Sequence, residues 1–383
     1  MKKKNGAFSQ FVAKIKPIAF FIVVIAILAG FAVATFVVPT RTFSANENRN
    51  LAQFPETNMD TVLAGEFQSG LSDYLSDQVP GREFWIRVNT AIKKLQGKKE
   101  INGVYLGADG YYFQKFTDDS FEAKRVAAVF SLMEQFAKRQ QVPVELMIVP
   151  TPGAVLSDKL PANAPFYDAD KIWQQLQSAV PSCGFTDLRQ SFAASSEQLY
   201  YRTDHHWTAM GAYEAYKAYC AKMGLPVKSL QDFGLTKVSD TFYGTIYSKT
   251  LDAAAKADAV YAPQNLPTVK VIVDGQKVLD SVYAPEVLKQ KDHYAYFFGG
   301  NFGTVEIETD VKNGKHLLVF KDSFANSFVP YLLGEYEKIT MVDLRFYGGN
   351  VQLLAESSAA TQILFLYEMT NLLTDTGINK LAR

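Results

Sequence analysis

Residues 317–326 read LLVFKDSFAN, four apolar residues followed by a lysine, an aspartate and a serine. Such an apolar run is typical of a strand that is covered on both faces of a sheet. In open α/β sheets, functional sites collect beyond the carboxyl ends of the strands. Ser323 occupies that position, in an expected turn before a helix that begins near Asn326. It is therefore a candidate nucleophile, with a plain helix cap as the alternative.

The chain around this stretch alternates between short apolar runs and amphipathic segments. We predict strands at residues 144–149, 316–320, 339–342 and 363–367, and helices at residues 121–139, 208–223 and 351–357. This alternation is typical of an α/β domain with a mostly parallel sheet. Hydrophobic residues make up 48% of the chain, which is enough for a sizeable core.

Residues 225–312 have a different character. Two apolar segments, residues 269–273 and 278–282, flank Asp274-Gly275, which predicts a β-hairpin. Residues 297–303 read FFGGNFG and are rich in glycine and phenylalanine. We predict that this stretch is a β-rich insertion that covers or shapes a site.

Residues 202–208 read RTDHHWT and hold two of the four histidines of the chain. On an irregular loop, Asp204 is spaced to reach the Nδ1 of His206, which leaves Nε2 for a serine hydroxyl. Trp207 is placed to pack against the imidazole. The alternative is a metal site, but adjacent histidines on a strand point in opposite directions. We expect no metal here.

Residues 18–38 contain no charged side chain, and 21 such residues are enough to cross roughly 30 Å of hydrocarbon as a helix. Five lysines precede them: Lys2, Lys3, Lys4, Lys14 and Lys16. The positive-inside rule then predicts a cytoplasmic basic tail (1–17), a transmembrane helix (18–38) and a main domain outside the cytoplasm. The alternative is a signal peptide cleaved after Ala32-Val33-Ala34.

The remaining chain is predicted to form a juxtamembrane helical region (40–100) and one domain (101–383) that contains the insertion at 225–312. The counts of Lys+Arg and of Asp+Glu are both 39, so the net charge gives no reason to expect a nucleic-acid partner. Cys183 and Cys220 are the only cysteines. They either form one disulfide in an oxidising compartment or remain as buried thiols.

The Asp204-His205-His206-Trp207 block resembles the signature of the DHHW family, which is similar to the alginate O-acetyltransferase branch of the SGNH hydrolases. Other landmarks occur in the family's order, and together they cover roughly residues 45 to 370. They are Glu47-Asn48-Arg49 with Leu51 and Phe54-Pro55, residues 107–113, Gly299-Gly300-Asn301, Lys321-Asp322-Ser323 and residues 343–347.

The resemblance implies a flavodoxin-like SGNH domain in which Ser323 is the nucleophile, His206 the general base and Asp204 its orienting acid. That branch has a variable residue at the position of His205, which favours His206 as the base. Asn301, Arg345, His205 and Trp207 would be oxyanion or substrate contacts. In this chain Lys321 stands where the usual Gly-Asp-Ser block has glycine.

The implied reaction is acyl transfer without a cofactor, most simply O-acetylation of a cell-wall or secreted polysaccharide beside a membrane-bound acyl donor protein. The same three residues would equally serve a polysaccharide O-acetylesterase, in which water replaces the sugar hydroxyl. Two further hypotheses are a non-catalytic glycan-binding scaffold and a metal-dependent hydrolase.

Overall fold

The computed structural model describes residues 4–47 and 49–382, and of residues 4–18 it describes the backbone alone. The family landmark Asn48 and the tail residues Lys2 and Lys3 therefore lie outside the described residues. The chain divides into two compact units, Met1–Ile92 and Lys93–Arg383.

The first unit is mainly helical. Its elements are α1 (Lys4–Val37), β1 (Phe43–Ser44), β2 (Arg49–Asn50), α2 (Met59–Leu63), α3 (Glu66–Gln78) and the greater part of α4 (Arg82–Leu95). The stretch Ala19–Val37 within α1 is long and apolar enough to cross a membrane. Among residues 4–47 and 49–382, no other helix meets this condition. Large apolar side chains along it, such as Phe20, Ile25 and Leu28, are exposed.

The second unit carries most of the strands. Its strands are β3 (Glu100–Ile101), β4 (Val104–Leu106), β5 (Tyr112–Gln114), β6 (Val144–Val149), β7 (Gly184–Phe185), β8 (Thr236–Phe242), β9 (Asp258–Ala262), β10 (Val269–Val273), β11 (Lys277–Leu279), β12 (Thr304–Thr309), β13 (His316–Lys321), β14 (Lys338–Val342) and β15 (Gln362–Glu368). Its helices are α5 (Ala123–Arg139), α6 (Pro152–Val155), α7 (Ala169–Ala179), α8 (Arg189–Ala194), α9 (Ala209–Met223), α10 (Thr245–Thr250), α11 (Ala325–Leu332), α12 (Val351–Ser357) and α13 (Met369–Thr374).

Eight of these strands form one sheet in the order β11-β10-β12-β14-β13-β15-β6-β7. The five strands from β14 to β7 are parallel, and β12, β10 and β11 extend the sheet in antiparallel fashion. The predicted α/β class with a mostly parallel sheet is confirmed.

Residues 225–312 contribute to the sheet as well as to its surroundings. The predicted hairpin forms β10 and β11, which pair across Asp274-Gly275, and β12 joins the same sheet. β8 and β9 form a separate two-stranded sheet. The segment is thus continuous with the central sheet along one edge.

Helices cover both faces of the parallel strands. In β13, Leu317 and Val319 belong to one apolar core, whereas Leu318 and Phe320 belong to the other. This alternation explains the unbroken apolar run, because successive side chains on a strand point to opposite faces and both faces are buried here.

The two cysteines are free thiols in the structure, and both are buried. Of the two alternatives left open by the sequence, the structure therefore has the unpaired one. Burial raises the pKa of both Cys183 and Cys220 to about 12. Neither thiol has the thiolate character that a reactive cysteine requires.

Candidate active site

Ser323 lies in the turn between β13 and α11, at the carboxyl edge of the parallel strands. The helix begins at Ala325, one residue earlier than expected. Asp322 shapes the turn, because its Oδ1 accepts the backbone N–H of Phe324 at 2.9 Å and its Oδ2 accepts that of Glu368 at 2.8 Å. The Ser323 hydroxyl does not cap the helix, since its hydrogen bond goes to an imidazole.

That imidazole belongs to His206. Its Nε2 lies 2.6 Å from the Ser323 Oγ, and its Nδ1 lies 2.5 Å from the Asp204 Oδ1. All three side chains are buried, and Ser323 and His206 keep small exposed fractions of 7% and 6%. The structure thus brings together three residues that are separated by up to 119 positions (323 minus 204). This geometry lets His206 accept the proton of Ser323 while Asp204 fixes the ring orientation.

Backbone pairing joins the two ends of the loop that carries Asp204 and His206. Tyr200 and Trp207 form an isolated antiparallel bridge, and the Tyr201 N–H donates to the His206 carbonyl at 3.2 Å. Thr208 then caps α9 by accepting the N–H groups of Met210 and Gly211. The start of a helix directly after the loop therefore holds its last residues in place.

Asp204 is held as an ionised acid by its surroundings. Its Oδ2 accepts the backbone N–H of Thr245 at 2.7 Å and the Thr245 hydroxyl at 3.0 Å. Burial by itself would raise the pKa of Asp204, but the adjacent imidazoles of His205 and His206 and the hydrogen bond from the Thr245 N–H outweigh it and hold the pKa well below its usual range. An acid that stays ionised stabilises the imidazolium that forms when His206 takes a proton.

Gly244 provides the space for this carboxylate. A Cβ at position 244 would collide with the Asp204 side chain. The backbone of Gly244 has a negative φ of −87°, so space and not conformation requires glycine here. Gly244 and Thr245 lie in the predicted insertion, and no local pattern marked either of them.

Tyr294 supports both partners of the central hydrogen bond. Its ring stacks on the His206 imidazole with a centroid distance of 3.8 Å and an interplanar angle of 12°. Its hydroxyl donates to the Ser323 carbonyl at 3.0 Å and lies 3.0 Å from the Ser327 Oγ. Sequence reasoning missed this residue, because its contacts join segments about 90 and 30 positions apart (206, 294 and 323).

Trp207 has a different place from the one we predicted. It is completely buried, its Nε1 donates to the Phe324 carbonyl at 3.1 Å and to the Ser327 Oγ at 2.8 Å, and its ring packs on Phe324 and Phe328. The indole therefore supports the turn after Ser323. A side chain without exposed surface does not contact substrate, which corrects the prediction for Trp207.

His205 contacts Thr245 instead of the serine. Its Nδ1 lies 2.7 Å from the Thr245 Oγ1, and a third of its side chain is exposed. Burial and the neighbouring His206 lower the pKa of His205 to about 4, so His205 is neutral at pH 7. The ring lies beside Asp204 and His206 without entering the bond to Ser323.

Asn301 reaches the serine turn through a buried lysine. The Lys321 Nζ donates to the Asn301 Oδ1 at 3.1 Å and to the Asn326 Oδ1 at 2.8 Å. The Asn326 Nδ2 also donates to the Asn301 Oδ1, at 3.1 Å. With Oδ1 occupied by two donors, the Nδ2 of Asn301 is left as a donor, and it makes no hydrogen bond within the described part of the chain.

The backbone before Asn301 and the burial of Lys321 both contribute to this hydrogen-bond network. Phe298, Gly299 and Gly300 have φ values of 63°, 77° and 129°, which is why glycines precede Asn301. Burial lowers the pKa of Lys321 to about 8, although the nearby Asp343 opposes this shift. Arg345 is connected to Lys321 through Asp343. Its guanidinium binds the Asp343 carboxylate through Nε at 2.8 Å and Nη2 at 2.6 Å, and the Lys321 Nζ lies 3.8 Å from the same carboxylate.

Asp204, His205 and His206 also form a group with the spacing of a metal site. Both ring nitrogens of His206 face hydrogen-bond partners, Asp204 and Ser323, and Asp204 accepts bonds from Thr245 with its second oxygen. A metal ion would have to replace these bonds, so the donor set fits a serine–histidine–aspartate arrangement better than a metal centre.

The sequence model of the DHHW protein family matches residues 98–342, which is more than half of the chain.

The chain belongs to the DHHW family.

A solved DHHW family protein from Eubacterium siraeum is 25% identical and has a TM-score of 0.62, with 73% of this chain and 96% of that protein covered. Bacillus cereus PatB1, solved with a sulfonyl adduct, is 21% identical and has a TM-score of 0.61, with 72% of this chain and 97% of that one covered. PatB1 therefore has the same fold as this chain.

One curated relative is the probable alginate O-acetylase AlgJ of Pseudomonas syringae pv. tomato. It is 26% identical over 177 residues, which are 43% of this chain and 44% of that protein. The match thus spans less than half the length of the relative. The predicted resemblance to the DHHW family is confirmed by these comparisons.

Proposed function

We propose that this DHHW protein is a serine acyl-transfer enzyme that moves an acetyl group to a hydroxyl of a polysaccharide. The observation that carries the proposal is the position of His206, with one ring nitrogen 2.6 Å from the Ser323 Oγ and the other 2.5 Å from Asp204. An alcohol becomes a useful nucleophile near neutral pH when an oriented base accepts its proton.

In the first half-reaction, the Ser323 Oγ attacks the carbonyl carbon of an acetyl ester. His206 Nε2 takes the serine proton as the new C–O bond forms. The bond from the carbonyl carbon to the leaving group then breaks, and His206 returns the proton to the leaving oxygen. The product is acetyl-Ser323, with Asp204 ionised throughout.

Two donors are available for the negative charge that develops on the carbonyl oxygen. The backbone N–H of Ser323 makes no hydrogen bond within the described residues. The Nδ2 of Asn301 is oriented by the bonds from Lys321 and Asn326 to its Oδ1. Preorganised donors of this kind stabilise tetrahedral intermediates strongly.

In the second half-reaction, a sugar hydroxyl attacks acetyl-Ser323, His206 accepts the hydroxyl proton, and Ser323 leaves with a proton from His206. Water in place of the sugar would give free acetate through the same steps. The name of the Pseudomonas syringae relative, a probable alginate O-acetylase, supports transfer to a polysaccharide.

The apolar stretch Ala19–Val37 supports a site of action at a membrane. We propose that it anchors the protein with the lysine-rich tail in the cytoplasm and the Ser323 domain outside. A membrane-bound protein would then supply the acetyl group. Neither Cys183 nor Cys220 would depend on the redox state of that compartment, because both are buried and unpaired.

The test is hydrolysis of 4-nitrophenyl acetate by the full chain in detergent. We expect Ser323→Ala and His206→Gln each to lower kcat/KM about a hundredfold or more. The matched control is His316→Gln, because His316 lies at the opposite end of β13 and bonds to Thr340 at 2.9 Å. Unchanged rates in Ser323→Ala would remove the serine from the mechanism.

The same assay separates the alternatives. A scaffold protein predicts no Ser323-dependent release of 4-nitrophenol, together with glycan retention that survives His206→Gln. A metal-dependent hydrolase at Asp204, His205 and His206 predicts that chelators abolish the activity and that a divalent ion restores it.

A further inference from the structure

A cavity of about 430 Å³ lies beside the Ser323 turn, at the same carboxyl edge of the parallel sheet. Residues that follow β15 and β6 line it, and His205 and Thr245 form part of its wall. Asn371 in its lining donates to the Asp322 Oδ2 at 2.8 Å, so one wall residue directly contacts the residue before Ser323. Because β13, β15 and β6 are neighbours, their carboxyl ends meet here.

One carboxyl oxygen in this lining has no partner. Glu368 is only 4% exposed, and its Oε2 accepts the Thr370 hydroxyl at 2.6 Å and the Asn371 N–H at 3.0 Å. Its Oε1 is buried and makes no hydrogen bond in the structure. An unsatisfied buried polar atom costs free energy, about 1–3 kcal/mol. A ligand hydroxyl that reached Oε1 would remove this cost.

Another part of the lining is aromatic. Phe113, Phe116 and Phe166 contribute to it, and Phe116 and Phe166 remain partly exposed. Gly153 leaves room for this arrangement, because a Cβ there would collide with the Phe166 ring. A lining that combines hydroxyl and amide groups with aromatic rings matches a sugar ring, which has polar edges and apolar C–H faces.

We propose that this cavity, the acceptor pocket, binds a pyranose ring of the glycan that receives the acetyl group from Ser323. The inference rests on the proposed function above. The acetyl group itself is an unsuitable occupant, since it is far smaller than 430 Å³ and has no hydroxyl for Glu368. A sugar ring has several hydroxyls, so one satisfies Glu368 while another turns toward acetyl-Ser323.

The test measures how acetyl-Ser323 divides between sugar and water. The full chain in detergent receives 4-nitrophenyl acetate as donor and cellotetraose, chitotetraose or tetragalacturonate as acceptor. Acetylated saccharide and free acetate are quantified, and their ratio is followed against acceptor concentration. Because both products come from the same acetyl-enzyme, the ratio does not depend on the rate of acylation.

We expect saturable transfer to at least one of the three saccharides. For that acceptor, Glu368→Gln raises the half-saturating concentration about tenfold, the loss expected for one hydrogen bond to a charged or buried group. Phe166→Leu raises it as well. The matched control is Glu145→Gln, a buried carboxyl on β6 outside the pocket lining that accepts the Thr186 hydroxyl at 2.7 Å. It should keep the wild-type concentration within twofold.

The acceptor pocket is overturned if both variants keep the half-saturating concentration of the wild type. It is also overturned if none of the three saccharides shows saturable transfer while Ser323-dependent release of 4-nitrophenol is normal. Failure of the proposed function looks different, because the wild type would then release no more 4-nitrophenol than Ser323→Ala. In that case both the proposed function and the acceptor pocket would be rejected.

Discussion

The parallel strands and the segment 225–312 supply the candidate site in different ways. β13 carries Ser323 at its carboxyl end, where a buried strand gives way to a turn. The segment 225–312 carries no member of the serine–histidine–aspartate set, yet Thr245 holds Asp204 and Tyr294 holds His206. The strand positions the proposed nucleophile through local chain geometry, whereas the segment positions the proposed activating groups through contacts across the fold.

This difference separates two kinds of residue in the site. A nucleophile at a strand end is placed by the backbone before and after it, so it tolerates changes elsewhere. An imidazole between a carboxylate and a hydroxyl is placed by whatever surrounds it. Variants at the residues of this segment that contact Asp204 and His206 should therefore impair the reaction while leaving the parallel strands in place.

The largest effect is expected for Gly244→Ala. The new methyl group would occupy the space of the Asp204 carboxylate and force it away from His206. A displacement of about 1 Å in such a group lowers rates about a hundredfold, so we expect that loss in kcat/KM for 4-nitrophenyl acetate. The control is Gly348→Ala, because position 348 is open. Equal activity of the two variants would contradict this role of Gly244.

A smaller effect is expected at Tyr294, where two variants separate stacking from hydrogen bonding. Tyr294→Leu removes the ring on His206 and the bond to the Ser323 carbonyl, and we expect kcat/KM to fall about tenfold. Tyr294→Phe keeps the ring, so its loss should be about threefold. A thermal melt of both variants checks folding. If Phe and Leu variants are equally impaired, stacking is not the important contact.

The smallest effect concerns stability, and it belongs to the parallel strands. Burial raises the pKa of Glu368, at the end of β15, from 4.5 to about 7, with Asp322 as a nearby carboxylate. A raised pKa means that the folded protein holds the proton more tightly than the unfolded chain. This contribution is fully present below about pH 4.5 and is lost as the pH rises through about 7.

The Glu368→Gln variant has no ionisable group at this position. Its free energy of unfolding relative to the wild type should therefore rise by up to about 1 kcal/mol per pH unit between pH 5 and pH 7. Urea unfolding at several pH values, followed by tryptophan fluorescence, measures the difference. A difference that stays constant across this range would mean that Glu368 titrates alike in the folded and unfolded chain.

Much of the fold followed from patterns a few residues long. The apolar run at residues 144–149 became β6 with every side chain buried, and the helix predicted at residues 208–223 became α9, with Thr208 and Gly224 as its caps. The motifs and the family resemblance also singled out Asp204, His206 and Ser323, which the structure brings within hydrogen-bonding distance. By contrast, Gly244, Thr245 and Tyr294 lie in ordinary local sequence, and Trp207 was predicted as an oxyanion or substrate contact although the structure buries it completely.

The sequence by itself determined the main parallel strands and several of the helices, where the serine turn lies, and that the chain resembles the DHHW family. These features depend on residues within one or two turns of each other. Only the tertiary structure decided that Thr245 and Tyr294 contact Asp204 and His206, that the cysteines remain apart, and that Glu368 lines a cavity with one oxygen unpaired. The physical reason is that hydrogen bonds and ring contacts between segments tens to more than a hundred residues apart exist only once both segments are packed.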